Sequence, residues 1–92
     1  MALESMMTNQ TEDTVTPAEA VAAGGYNLVA QGAFDGGRLS IELNQFGNEW
    51  TKILEIESPS VRFFNFHQTS IRARLVGAGV GCDVSLGVFA TA

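Results

Sequence analysis

The segment Leu-Val-Ala-Gln-Gly-Ala-Phe-Asp-Gly-Gly-Arg-Leu-Ser-Ile-Glu-Leu, residues 28–43, carries the clearest fold signal in this chain. In its second half Leu39, Ile41 and Leu43 alternate with polar neighbours, which is the period of a half-buried β-strand. Between the halves, Asp35-Gly36-Gly37 accepts the positive φ angles that a tight hairpin turn requires. The segment therefore predicts two antiparallel strands joined by a hairpin.

Four further strands are predicted after this segment, at about residues 49–57, 61–66, 71–76 and 83–91, with Gly, Pro and Asn between them. Six short strands spaced in this way are typical of an all-β fold, either a small antiparallel β-sandwich or a barrel. The short connections favour up-and-down hairpins. A Greek key is the alternative, because the pattern does not encode the order of strands in space.

The first 23 residues differ from the β domain predicted at residues 24–92. They begin as a polar, unpatterned stretch, either a floppy tail or an extended arm that becomes ordered on a partner. Thr16 as a cap, a following proline and Glu19 predict a short helix near residues 17–23, which two glycines would end. An extended linker is the alternative.

Composition indicates a protein that buries surface against other chains. Of the 92 residues 46% are hydrophobic and only 16% are charged, which is a thinly charged surface for a small domain. The net charge is −5 and no cluster of basic residues is evident, so nucleic-acid binding is not expected. No apolar run approaches the roughly 18 residues of a membrane span, so no membrane partner is expected. The single cysteine, Cys82, excludes an internal disulfide and fits synthesis in a reducing cytoplasm.

No catalytic, cofactor or metal site is predicted. Ser70, His67 and Asp83 could form a triad on paper, but any chain with one histidine allows such a set, and no nucleophile elbow supports it. One histidine and one cysteine have no recognisable metal-ligand spacing. Glu55 and Glu57 share a strand face, which is most simply a solvated face.

Four apolar residues lie on strand faces opposite the main core stripes, namely Phe63, Phe89, Ile53 and Val29. A two-sheet core uses one face of each strand, so some of these side chains should be exposed in a monomer and buried in a multimer. A β-bulge that reverses the alternation, for example around Phe63 and Phe64, is the rival explanation. By the same alternation Trp50 is predicted on the core side of its strand.

Arg62, Arg72 and Arg74 would converge if the fourth and fifth strands of the predicted domain pair. They either confer ordinary solubility or anchor acidic groups of a partner. The second hypothesis places them against Glu12 and Asp13 in the acidic arm of a neighbouring copy.

Three motifs resemble a group of small β-sandwich virion proteins of tailed bacteriophages. They are Ala-Phe-Asp-Gly-Gly-Arg-Leu-Ser-Ile-Glu-Leu at residues 33–43, Glu49-Trp50, and Ile-Arg-Ala-Arg-Leu-Val at residues 71–76. The likeness covers residues 25–92, although Gly-Asn-Glu-Trp at residues 47–50 departs from the Asp-Gly-x-Trp form of that group. The resemblance implies no catalytic residue.

What the resemblance implies is a capsid decoration or cement protein, made in the host bacterial cytoplasm and located on the virion surface. Its partners would be the major capsid protein and further copies of itself, most often as a homotrimer. A fibre or tail accessory protein is an alternative. Another is a sugar-binding receptor-recognition module that uses Trp50, Tyr26 or Phe46 for stacking. The structural role predicts a buried Trp50, whereas sugar binding predicts an exposed aromatic beside polar groups.

Overall fold

The computed structural model describes residues 5–44 and 49–91, and these form two antiparallel β-sheets that pack on one shared hydrophobic core. The all-β fold predicted from the sequence is confirmed, as a sandwich. Nine strands occur in the described residues: β1 (Ser5–Gln10), β2 (Thr14–Val15), β3 (Glu19–Val21), β4 (Gly24–Ala33), β5 (Arg38–Asn44), β6 (Thr51–Ile56), β7 (Ser60–Phe66), β8 (Thr69–Val76) and β9 (Asp83–Ala90).

Sheet A has the strand order β1-β9-β4-β7. Sheet B has the order β2-β8-β5-β6, and β3 pairs with β8 beside β2. The six predicted strands correspond to β4 through β9. Within the described residues there is no helix, and hence none long and apolar enough to cross a membrane.

The hairpin predicted at residues 28–43 is wrong, although both of its strands and its turn are present. β4 pairs with β7 and β9 in sheet A, whereas β5 pairs with β6 and β8 in sheet B. The turn at residues 35–37 is therefore an arch that carries the chain from one sheet to the other. The glycine-rich turn at residues 77–81 does the same between β8 and β9. The predicted up-and-down order is thus wrong as well, because after β4 only β5 and β6 are consecutive strands of one sheet.

Asp35 joins these two arches. Its backbone carbonyl accepts a hydrogen bond from the Gly79 N–H at 3.1 Å, and its Oδ2 accepts one from the Gly81 N–H at 2.6 Å. Asp35 has a φ of 44°, in the left-handed region that Asp tolerates better than most residues. A Cβ at Gly79 would lie 2.6 Å from the Asp35 carbonyl oxygen, so the close approach of the arches requires glycine there.

The helix predicted near residues 17–23 is not present, because Glu19–Val21 forms strand β3 against Thr69–Ile71 of β8. Thr16, the predicted helix cap, is used by the sheet instead. Its backbone N–H donates to the Ala73 carbonyl at 2.8 Å, and its hydroxyl accepts from the Ala73 N–H at 3.0 Å. A helix of one or two turns is marginal in water, so pairing with an available strand edge stabilises the segment more.

The rest of the N-terminal segment that the structure describes, residues 5–16, also orders on the sheets of its own chain. β1 pairs with β9 at one edge of sheet A, and β2 pairs with β8 in sheet B. Met7 and Val21 are buried in the core with 4% and 2% of their surface exposed. The strands of this segment are therefore part of the sandwich in a single copy.

A β-bulge in β6 reverses the alternation at Ile53. Leu54 pairs with Ile41 and Lys52 pairs with Glu42, so Ile53 is an extra residue opposite that step. Lys52 consequently shares the outer face of sheet B with Glu42. Trp50, predicted on the core side, is half-buried instead and contacts Arg72, a neighbour of Glu42 in the register of sheet B.

We expect Asp35→Ala to lower the free energy of unfolding by about 2–3 kcal/mol. The change removes the hydrogen bond to Gly81 and leaves alanine in the left-handed region, and these losses are worth about 1–2 kcal/mol each. Asp35→Gly should cost less because glycine accepts that φ. Asp35→Asn should cost least because its amide oxygen can still accept. Urea unfolding measures the series, and an Asp35→Ala variant as stable as the wild type would contradict the role of Asp35.

We also expect Met7→Ala to cost about 2–3 kcal/mol of stability, because a buried methionine loses its contacts and leaves a cavity. The neighbouring Met6 is only partly buried against the core and supplies the matched control. Met6→Ala should cost clearly less in the same unfolding measurement. Equal effects of the two substitutions would show that β1 does not pack as described.

Candidate functional site

The outer face of sheet A carries an apolar patch that spans its strands β7, β4 and β9. Phe63 and Phe89 lie on either side of Asn27 in one cross-strand row, and Val61 pairs with Val29 in the next row. Phe63 is 64% exposed, Val61 is 63% exposed and Phe89 is 40% exposed, while Val29 is half-buried. We call Val29, Val61, Phe63 and Phe89 the sheet A patch.

Both aromatic rings of the sheet A patch extend over glycines. A Cβ at Gly25 would lie 2.8 Å from Cε1 and Cζ of Phe63, and a Cβ at Gly87 would collide with the ring of Phe89. The missing side chains let the rings lie close to the backbone of the sheet. One side of each ring therefore rests on the backbone of the sheet, and the other side faces solvent. Rings held in this way favour a preformed contact surface.

The surroundings of the sheet A patch contain little negative charge, although the protein as a whole is acidic. β4 and β7 contain no Asp or Glu, and in β9 the one carboxylate is Asp83, at the end of the strand next to the arches. The neighbouring polar groups on this face are the amides of Asn27, Asn65 and Gln31. An uncharged apolar surface with amide neighbours is suited to contact with another protein.

Three of the four apolar interface candidates, Phe63, Phe89 and Val29, belong to this patch, and their role in an interface stays a prediction. Ile53 does not belong to it. The bulge turns Ile53 to pack partly against the core of the sandwich. Val61 is the exposed member that the alternation argument passed over. Its position in the row of Val29 could be recognised only once β7 was known to pair with β4.

The three arginine candidates do not converge. Arg62 lies on β7 in sheet A, whereas Arg72 and Arg74 lie on β8 in sheet B. Arg72 and Arg74 do come together, on Glu42 of the adjacent strand β5. The Nε atoms of Arg72 and Arg74 donate to the two carboxylate oxygens of Glu42 at 2.6 and 3.3 Å.

Glu42 is the centre of a charged cluster on the outer face of sheet B. Burial alone would raise the pKa of Glu42, but the hydrogen bonds and positive charges of Arg72 and then Arg74 outweigh it and hold the pKa below its ordinary value. The guanidinium of Arg72 also lies 4.3 Å from the centre of the Trp50 ring, a cation–π contact. Sequence reasoning missed Glu42 because its partners became visible only when β5 and β8 were found to pair.

The acidic candidates of the N-terminal segment have different surroundings. Oδ1 of Asp13 accepts a hydrogen bond from the Ala78 N–H at 2.8 Å, so Asp13 supports the second arch of its own chain. Glu12 is exposed beside it. The contact proposed between these acids and the arginines of a neighbouring copy stays a prediction, and two of those arginines already bind Glu42.

The residues considered for catalysis are far apart. His67 follows the end of β7 that pairs with Gly24, whereas Asp83 pairs with Ala33 at the other end of β4. Ten residues of strand separate those ends by about 30 Å, so no triad forms. Burial, followed by the negative charges of Asp35, Asp83 and Asp13, raises the pKa of the buried Cys82 thiol, which disfavours a reactive thiolate. Residues 5–44 and 49–91 contain no group of three or more potential metal ligands.

The aromatic residues considered for sugar stacking differ in exposure. Tyr26 is buried, and its hydroxyl donates to the Ala22 carbonyl at 2.9 Å. Trp50 is half-buried with Arg72 over its ring, so it matches neither the buried residue of the structural hypothesis nor a fully open platform. Phe46 lies outside the described residues.

Comparison of the chain with protein-family models, with curated proteins and with solved structures found no match.

We expect Glu42→Gln to lower the free energy of unfolding at pH 7 by about 1–2 kcal/mol, because it removes a half-buried negative charge between two arginines. The folded-state pKa of Glu42 is lowered, so its contribution is complete above the ordinary pKa range of glutamate. The contribution is lost as the pH falls through the lowered pKa. The stability difference between wild type and variant should shrink over that interval.

Thermal or urea unfolding between pH 7 and pH values below the ordinary range of glutamate measures this difference. Glu57→Gln is the matched control, since Glu57 is exposed just after β6. The control should change stability little at any of these pH values. A wild-type advantage over Glu42→Gln that did not vary with pH would contradict the assignment.

Proposed function

We propose that this protein is a non-enzymatic structural component of a bacteriophage head, a decoration protein that binds the major capsid protein. The observation that carries the proposal is the sheet A patch, with Phe63 and Val61 about two-thirds exposed on an uncharged sheet face. The resemblance of residues 33–43 and 71–76 to virion β-sandwich proteins supplies the identity of the partner.

Binding through this patch fits what a decoration protein has to do. Burial of a fully exposed Val or Phe side chain contributes about 1.5–3 kcal/mol, so three exposed side chains give a modest contact per copy. Association entropy offsets much of that gain. Many copies on one symmetric shell would add such contacts together, and simultaneous engagement of adjacent capsomers would strengthen each attachment.

The scaffold supports rigid docking. The apolar side chains of the patch project from a hydrogen-bonded sheet, and the inner face of that sheet is buried against sheet B. The backbone that carries these side chains is already ordered, so little backbone entropy is lost on binding. A flexible tail offering the same residues would lose more.

Sugar recognition on a fibre or tail is the second candidate function, and Trp50 is the observation that favours it. Its half-exposed ring lies beside Arg72 on the polar outer face of sheet B, where a sugar could stack and form hydrogen bonds. Arg72 already occupies one side of that ring, which leaves less aromatic surface for a ligand. The sheet A patch offers more exposed apolar area and therefore favours the decoration role.

The proposal predicts that Phe63→Asp weakens head binding by tenfold or more. A carboxylate at the centre of a buried apolar contact is strongly unfavourable, and a loss of about 1.4 kcal/mol is already tenfold in affinity. Heads from a phage deleted for this gene would be mixed with recombinant protein, and co-sedimentation would measure the copies bound.

Val80→Asp is the control, since Val80 is fully exposed on the second arch away from the patch. It introduces the same charge and should bind as the wild type does. Unfolding curves of both variants would show that each is folded. Failure of the wild-type chain to bind such heads, or its absence from intact virions, would overturn the proposed function.

A further inference from the structure

The four sheet edges of the sandwich are not equally protected. An exposed strand edge offers unpaired N–H and C=O groups, and proteins protect such edges with very short strands, bulges or charge. β2 has two residues and β3 has three, which makes that edge of sheet B short. β6 carries the bulge at Ile53, and the register of β1 shifts twice, with Asn9 at a φ of 47°.

β7 is neither very short nor bulged, and a single charge is the one protection that it carries. It runs for seven residues and pairs with β4 without a single register shift, from Phe66 opposite Gly24 to Ser60 opposite Ala30. No strand of the described part of the chain pairs with its other side. It contains one charged residue, Arg62, and its outer-face side chains Val61 and Phe63 are the exposed members of the sheet A patch.

We propose that β7 pairs with β7 of a second copy of this chain, antiparallel about a two-fold axis at Phe63. The sheets A of the two copies then join into one continuous sheet of eight strands. This inference is independent of the capsid role, because it concerns the isolated protein.

The geometry selects this register. When a strand pairs with its own copy about a two-fold axis, each residue lies opposite the residue of the other copy that is equally far from the axis on the other side. The two side chains of such a pair must lie on the same face of the sheet. An axis at Phe63 pairs all seven residues of β7, with Ser60 opposite Phe66 and Val61 opposite Asn65. An axis at any other residue of β7 would leave part of the strand unpaired.

The side chains are compatible with that register. Phe63 meets its symmetry mate, which places two aromatic rings side by side and joins the two sheet A patches. Arg62 lies opposite Phe64 of the other copy, so the two Arg62 charges are not directly opposed and each can contact an aromatic ring.

The charge distribution favours a second copy as the occupant of this edge. The protein carries a net charge of −5, and Asp13, Asp35 and Asp83 lie at or near the arches, so two copies repel each other at that end. β4 and β7 contain no carboxylate, and each β7 contributes one positive charge. This edge is therefore a side on which two acidic copies can approach closely.

Cysteine cross-linking tests the register. Cα atoms directly opposite in an antiparallel pair are about 4.5–5.5 Å apart, within the range of about 4.4–6.8 Å that a disulfide spans. Under mild oxidation Phe63→Cys should form a disulfide-linked dimer. Val61→Cys alone should form little, whereas a mixture of Val61→Cys and Asn65→Cys should form a mixed dimer. Val80→Cys, equally oxidisable on the exposed second arch, is the control and should stay largely monomeric.

Light scattering of the native chain supplies the second measurement. The wild type should have the mass of a dimer at high concentration, and Val61→Lys should shift it to a monomer, because lysine on an edge strand opposes pairing. Val80→Lys adds the same charge away from β7 and should remain dimeric. Three results would each overturn the β7 dimer. The first is a wild-type monomer at all concentrations, and the second is a trimer, as the virion resemblance implies. The third is a Phe63→Cys variant that cross-links no more than Val80→Cys. The head-binding assay distinguishes the failure of the two proposals. A wild-type monomer that still binds heads would contradict the β7 dimer but not the proposed function.

Discussion

The contact between the two arches at Asp35 is the constraint on which the rest of the sandwich depends. Each arch moves the chain from one sheet to the other, and Asp35 binds the second arch with both its backbone carbonyl and its carboxylate. Once the arches are stacked, β4 lies beside β9 and β5 lies beside β8, and these pairs form the centres of the two sheets. The sheet pairings and the position of the core between them both follow from that stacking.

Stacked arches also decide which strands remain at the edges. β1 continues sheet A beyond β9, and the short strands β2 and β3 continue sheet B beyond β8. On the opposite side of the sandwich β6 and β7 are the edges, and a connection of three residues joins them. The N-terminal segment therefore completes one side of the molecule, whereas the side formed by β6 and β7 remains available for contacts between chains.

The sequence was sufficient to predict the six strands β4 to β9, because a period of two is visible there, as Leu39, Ile41 and Leu43 show. The strands β1, β2 and β3 were not predicted. Partners of strands were not predictable, since the same Asp-Gly-Gly turn suits a hairpin and an arch. The predicted helix at residues 17–23 is absent because Thr16 and residues 19–21 pair with β8, whose residues lie 48 to 57 positions further along the chain. Ile53 was misplaced by a bulge with no local signature. Phe63 and Phe89 lie on the expected face because their strands are regular. Arg62 does not meet Arg72, because their strands belong to different sheets and strand pairing could not be predicted.

The charges and the apolar patch form one arrangement. Four of the five basic residues, Arg38, Lys52, Arg72 and Arg74, contact Glu42 or Glu55 on the outer face of sheet B, so that face holds most of the positive charge of the protein. Asp13, Asp35 and Asp83 concentrate negative charge near the arches. The outer face of sheet A is therefore the surface whose desolvation costs least, because it carries almost no charged groups that would lose their hydration. Repulsion at the acidic end disfavours contacts there, so the charge distribution that favours the proposed docking through sheet A would also select the orientation of the docked molecule.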